Sequence, residues 1–449
     1  MTSYITEFET KHKPEDYYKK VIDELKCKNV DLGAFNNFND DLKNGFPFSV
    51  KDNICVKNVE STASSKILRT YLPPFNAEVV DRLQKSGFGF LGKTNMDEFG
   101  FGSFGINSER IARNPIAPDY VAGGSSSGAA IATALLKYHI AVAESTGGSI
   151  SAPAAFCGVV GFTPTYGAIS RYGLIDYANS LDKIGFMARS VTDIRRILDI
   201  TAGKDKKDPT SSSRHIGGDQ KMQLTVIKEL MQRVEPKIIS SFDKFISKLE
   251  DFGYTINYLS MPEIDYALPA YYVISMAEAS TNLARYTGFK YGFKVKDFSK
   301  RYNDFFTEAR EQFGTEAKRR IVLGTFVRSA SVKNRYYMKA LKVRQLLINK
   351  LNLLLKGGFI ISPTMPIKTP KIDAIQKLSP VENYAMDILT VPPNLCGFPH
   401  VSFPYDYFGE MPLGAQLVTS HFNDHAVLSF VEQWEKSFDY KFKYNIGAL

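Results

Sequence analysis

Two glycine-serine turns carry the residues best suited to chemistry. Gly123-Gly124-Ser125 runs directly into a helix of small residues, and Gly147-Gly148-Ser149 is followed shortly by Ala152-Pro153 and another apolar run. Between Ser125 and Ser149 there is room for one helix and one strand, so a chain that folds back can bring both hydroxyls to one point. Such a point suits attack on a carbonyl carbon. Serine supplies a nucleophile, and the amides of Thr146, Gly147 and Gly148, turned inward, would hold the oxyanion of a tetrahedral intermediate. The stretch His139 to Ala143 reads as an apolar strand just ahead of Ser149, which would hold that hydroxyl rigidly.

A serine nucleophile needs a base. The six histidines are His12, His139, His215, His400, His421 and His425. None stands in an obvious catalytic setting, and His139 adjoins a strand where packing is its expected role. Lys51 is the other candidate. It ends the apolar run Phe46 to Val50 and precedes Asp52-Asn53, where burial would disfavour the ammonium and lower its pKa toward that of a working base. On the residues alone this stands beside the plain reading of a surface lysine at a strand end. Gly124-Ser-Ser-Ser-Gly128 also fits a nucleophile elbow with Ser126 at its apex, but that motif needs a strand immediately before it. Here Asn114 to Val121, a loop with two prolines, precedes it.

The elements that must position these residues alternate along the chain. Asp16 to Leu25 is expected to be the opening helix, Glu78 to Ser86 a helix, and Gly87 to Leu91 a strand. Helices are also expected over Ala129 to Tyr138, Val191 to Ala202, Ile238 to Phe252 and Tyr336 to Leu355, the last closed by Gly357-Gly358. Strands are expected at His139 to Ser145, Tyr254 to Leu259 and Phe359 to Ser362. This alternation predicts an α/β fold, a single large mixed β-sheet covered by helices on both faces. Residues 1–449 are expected to form one domain, with a short helical segment over 1–40 and an exposed polar insertion near 204–220.

Composition narrows the class. With 449 residues and 44% hydrophobic content the chain can bury a large core. A net charge of +9 favours an anionic partner such as nucleic acid, but 56 basic and 47 acidic residues are largely interspersed, so a solvated basic surface fits as well. Cys27, Cys55, Cys157 and Cys396 are widely separated and predict neither a metal site nor a redox pair. No run of 18 apolar residues occurs, so no membrane insertion is expected. The first residues have neither a secretory apolar core nor the Arg-rich, acid-poor character of a transit peptide, so an intracellular location is expected, cytoplasm and mitochondrial matrix both remaining open.

Lys51, Gly-Gly-Ser125 and Gly-Gly-Ser149 together resemble the amidase signature family in residue type, order and spacing. The resemblance continues through Gly92 to Ser103, Arg113 to Pro115, Cys157 to Leu174 and Ser180 to Gly185. It implies that fold and a Ser-cisSer-Lys triad of Ser149, Ser125 and Lys51. Lys318 to Thr325 and Tyr384 to Thr390 look like the A subunits of tRNA-dependent amidotransferases. That likeness implies Arg320 and Asp387 for the carboxylate and amine of glutamine, with Tyr271 as a further pocket residue. A free amino acid does need opposite charges at its two ends. The implied function is glutamine hydrolysis, with ammonia passed to a B subunit that uses ATP and Mg2+ to convert Glu-tRNA(Gln) to Gln-tRNA(Gln), and a small third subunit steadying the complex. Asp-tRNA(Asn) is a second candidate substrate of such a complex, and no cofactor or metal is expected in this chain itself. A stand-alone amidase on another small amide and a non-catalytic scaffold are the alternatives. The scaffold reading is motivated by Ser145 and Ser151, which stand where the family usually carries an aspartate and an arginine. Losing both together would avoid a stranded buried charge.

Overall fold

The computed structural model describes residues 3–437 apart from 215, 219–221, 297–298, 300 and 357. Its centre is one mixed sheet of eleven strands: β1 (Phe35–Phe38), β2 (Phe46–Lys51), β3 (Phe88–Thr94), β4 (Ile140–Ser145), β5 (Val160–Thr163), β6 (Lys183–Ala188), β7 (Gln223–Ile227), β8 (Thr255–Leu259), β9 (Phe359–Pro363), β10 (His400–Phe408) and β11 (Met411–Val418). They lie in the order β1-β3-β2-β4-β6-β5-β10-β11-β9-β7-β8. The central strands are apolar runs bounded by polar or glycine turns, and every residue of β2, β3, β4, β5 and β6 is buried. Such strands need cover on both faces. Two large apolar clusters provide it, one containing Phe48, Val50 and Val142 and the other Ala141, Ala143 and the helix Ser127–Leu135.

β3, β2 and β4 are mutually parallel, with Val50 paired to Lys93 on one side and Val142 on the other. Parallel neighbours end at the same edge of a sheet, and the crevice beyond those carboxyl ends is where open α/β sheets bind ligands. Here that edge gathers Lys51, the Asn95–Asp97 loop and the Glu144–Ser149 turn.

Most expected elements form within a few residues of where the periodicity places them. The opening differs: helices span Tyr4–Lys11 and Pro14–Leu32, divided at His12-Lys13 with Pro14 opening the second. The expected close of the Tyr337–Leu355 helix includes Gly357, which lies outside the described residues. The 204–220 segment is exposed only in part. Asp205, Asp208 and Ser211 are buried, with Asp205 accepting from Ser170 and Asp208 from the Arg171 amide, so its middle is packed onto the body. Residues 219–220 of that insertion and His215 lie outside the described residues.

Candidate active site

The two serine turns meet. The Ser126 amide donates to the Ser149 carbonyl at 3.1 Å, pinning the two turns together. The peptide bond between Gly124 and Ser125 is cis. Lys51 Nζ donates to Ser125 Oγ at 2.7 Å, and both residues are fully buried. Ser149 is 7% exposed, whereas Ser125 is fully buried. Burial pulls Lys51 below the usual lysine range, and the negative charge of Glu144 beside it acts in the opposite direction.

Among the described turn and loop bonds none uses the amide of Thr146, Gly147 or Gly148. The glycines are there because no larger residue fits. A Cβ on Gly147 would lie 2.4 Å from the Tyr271 ring and hydroxyl, and one on Gly148, at φ +149°, would lie 2.2 Å from Thr390 Oγ1. Tyr271 therefore roofs the turn. Tyr177, close by, accepts from Arg320 Nη1.

Arg320 belongs to the helix Thr315–Arg328, which packs on the helix Ala267–Asn282. Gly324 permits that closeness, since a Cβ there would meet the Met276 carbonyl oxygen at 1.9 Å. Arg320 points inward, 3% exposed, with its guanidinium 5.0–5.5 Å from the rings of Phe101, Tyr177, Tyr272 and Tyr384. Its Nε donates to Glu316 Oε1 at 2.8 Å. Burial opposes the charge, but Arg320 is held above the usual arginine range, with the Glu316 carboxylate as its ionised partner. Asp387 is buried and accepts from Tyr272 at 2.6 Å. Burial raises its pKa, opposed by hydrogen bonds from Ser103 and Tyr272 and by the charge of Arg320. A cavity of about 330 Å³ opens here, lined by Ser103, Tyr272, Glu316, Arg319, Arg320 and Tyr384.

The site contains residues that no local pattern marked. Tyr272 and Tyr177 sit in stretches that read as ordinary apolar segments, and Glu316 as a helix-surface acid. Glu144 reads as the polar end of a strand. Ser126, the alternative elbow residue, is buried with its hydroxyl donated to the Glu144 carbonyl at 3.0 Å, and no strand precedes it. Of the histidines in the described residues, His139 bonds Ser49 at 2.9 Å inside the core, and burial pushes its pKa down to about 3. His400 and His421 bond the Phe398 and Cys396 carbonyls at 3.0 Å. Ser145 donates to Asn394 Oδ1 at 3.0 Å, whereas the buried Ser151 hydroxyl has no partner. Neither position leaves a charge behind.

Among the described residues no group of three or more His, Cys, Asp or Glu side chains is arranged to hold a metal ion. No helix among them is long and apolar enough to cross a membrane.

The chain is similar over nearly its whole length to known proteins. It is 39% identical over 445 residues to the A subunit of glutamyl-tRNA(Gln) amidotransferase from Pseudothermotoga lettingae, covering 94% of each chain. It is 40% identical over 443 residues to the protein of the same name from Sulfolobus acidocaldarius, covering 96% of this chain and 90% of that one. The crystal structure of the A subunit of glutamyl-tRNA(Gln) amidotransferase from Thermotoga maritima superposes with a TM-score of 0.80 at 32% identity, covering 97% of this chain and 94% of that one. The Amidase family model matches residues 35–428, and with the sheet, the turns and these relatives in agreement, the chain belongs to the amidase family.

Proposed function

We propose that this chain is the glutaminase component of a tRNA-dependent amidotransferase, hydrolysing glutamine to supply the ammonia that turns Glu-tRNA(Gln) into Gln-tRNA(Gln). The observation that carries the reading is the Lys51–Ser125 contact held against the Ser149 turn, with the buried Arg320 and Asp387 connected to that turn through Tyr271 and Tyr272. Relatives named as the A subunit of that enzyme point the same way.

In this reading glutamine enters the cavity with its carboxylate toward Arg320 and its ammonium toward Asp387. That places the side-chain amide at the serine turns under Tyr271. Neutral Lys51 accepts the Ser125 proton as Ser125 accepts that of Ser149, and Ser149 Oγ forms a bond to the amide carbon. The amides of Thr146, Gly147 and Gly148 face the carbonyl oxygen and stabilise its negative charge. Collapse of the tetrahedral intermediate breaks the C–N bond, and the proton held on Lys51 returns through Ser125 to the departing nitrogen. Water then attacks the acyl-serine by the same relay and releases glutamate. A B subunit would hold ATP and Mg2+ and use the ammonia, and a small third subunit would complete the assembly.

The test is direct. Co-purified with its B subunit, the chain should release ammonia from glutamine, and Ser149→Ala should reduce that release to background. Ammonia release surviving this change removes Ser149 as the nucleophile. Cleavage of unrelated small amides by the isolated chain, at rates matching glutamine, would replace the glutaminase by a general amidase.

A further inference from the structure

Lys51 has one carboxylate in contact, and its placement is specific. Glu144 Oε2 accepts from Lys51 Nζ at 2.9 Å, and the backbone carbonyl of the same residue accepts from Nζ at 3.0 Å. With Ser125 Oγ at 2.7 Å, these are the three hydrogen bonds of the amine among the described residues. Lys51 and Glu144 are both 0% exposed. The carboxylate is itself held from two sides, by Asn53 Nδ2 on Oε2 at 3.1 Å and Thr146 Oγ1 on Oε1 at 2.6 Å.

We propose that Glu144 is the positioning residue and fixed counter-charge of Lys51, acting on the reaction through that amine. The inference rests on the Ser149–Ser125–Lys51 reading above. A neutral amine has two N–H bonds and one lone pair. Glu144 alone supplies acceptors for both N–H bonds, one from its main chain and one from its side chain, so the lone pair is left facing Ser125 Oγ. When Lys51 gains a proton during the reaction, the carboxylate already beside it balances the charge in a site that water does not reach.

Other charges face this amine. Asp97 lies on the loop after β3 and accepts the amides of Gly105 and Asn107, and Asp182 at the start of β6 accepts those of Tyr177 and Ala178. Both favour the Lys51 ammonium electrostatically, and Thr146 Oγ1 links Asp182 to Glu144. Arg320 acts on Asp97, and Asp182, pushed well above the usual carboxylate range by burial and then by the charge of Glu144, also feels Asp176 and Arg171. Among the described residues Glu144 is the acid in ion-pair contact with Lys51. Removing its charge takes away the carboxylate that touches the amine and lowers the pH at which Lys51 loses its proton, a shift that Asp182 offsets only in part as it ionises more readily without Glu144.

The experiment needs neither glutamine nor a second protein. A fluorophosphonate labels an activated serine as Oγ bonds to phosphorus and fluoride leaves, and labelling at Ser149 can be located by mass spectrometry on the full chain. The rate should rise with pH through the Lys51 ionisation. Glu144→Gln, which keeps the shape, should move that acid limb to lower pH by at least about one unit, and Glu144→Asp should hold it near the wild-type position. An unmoved limb in Glu144→Gln overturns the proposal, as does absence of Lys51-dependent labelling at Ser149 in the wild type. Should Glu144→Gln alone fail to fold, Lys51→Met with and without Glu144→Gln decides. The double variant should melt higher than Lys51→Met, and an equal or lower melting temperature refutes a charge partnership. Labelling with the expected shift but no ammonia from glutamine in the assembled enzyme would keep this inference and remove the glutamine assignment.

Discussion

Arg320→Met tests the substrate pocket most sharply. Methionine keeps an apolar chain among Phe101, Tyr177, Tyr272 and Tyr384 while removing the guanidinium that sits 5.0–5.5 Å from those rings. If that group holds the glutamine carboxylate, its loss removes a charge-assisted contact in a buried site, worth about 2–3 kcal/mol. At about 1.36 kcal/mol per decade this is roughly a 30- to 160-fold fall in kcat/KM. Most of it should fall on KM, because the carboxylate is remote from the reacting amide and is bound equally in ground and transition states. Glu316 needs a separate check, since it accepts from Arg320 Nε at 2.8 Å and loses that partner. It retains Tyr384 at 2.6 Å and Arg319, so the fold should survive with a lowered melting temperature. The assay is ammonia release across glutamine concentrations, repeated with a small amide that lacks the carboxylate. The variant should be defective on glutamine and near wild type on the second substrate. An unchanged glutamine KM, or an equal loss on both amides, refutes the assignment of Arg320 to the carboxylate.

Gly147→Ala should lower glutamine turnover by more than about 100-fold, since the added methyl lies 2.4 Å from Tyr271 and forces the amides of the turn out of line. Adding Tyr271→Ala should restore part of the loss, and no recovery in the double variant would show that the clash lies elsewhere. Stability should also respond to pH through Glu435, whose carboxyl burial pushes up to about 8. The folded protein prefers the protonated form, so this contribution is complete below the unfolded value near 4.5 and is lost as pH rises through about 8. Urea midpoints measured between about pH 5 and 8.5 should fall less in Glu435→Gln than in the wild type, and parallel curves would show that this carboxyl is not the source.

Much of the catalytic edge was legible locally. Phe46 to Val50 is apolar enough to be a strand buried on both faces, but Lys51 at its end read equally as a surface lysine, and the fold is what buries it. The two glycine-serine turns announced themselves because few residues besides glycine allow backbone to approach so closely. The proposed substrate pocket was legible only through likeness to relatives, since Arg320 and Asp387 each sit in a helical or turn segment that would serve equally well at a surface. Tyr177 and Tyr272 carried no signal, because an aromatic residue in an apolar stretch reads as core whether or not its hydroxyl has a partner. The 204–220 segment misled for a related reason: polar composition predicts exposure, yet Asp205 and Asp208 are buried by bonding Ser170 and the Arg171 amide across the fold.

The residue types, the order of strand and helix, and the two glycine-serine turns were determined by the sequence alone, because each depends on neighbours within a few positions. The strand order, the meeting of Lys51 with Ser125 and the pairing of Lys51 with Glu144 were decided only by the tertiary structure. β2 and β4 are parallel neighbours, so their ends reach one edge from positions 93 residues apart in the chain. Contacts over that span depend on which strands pair and in what register, and no local pattern carries that information.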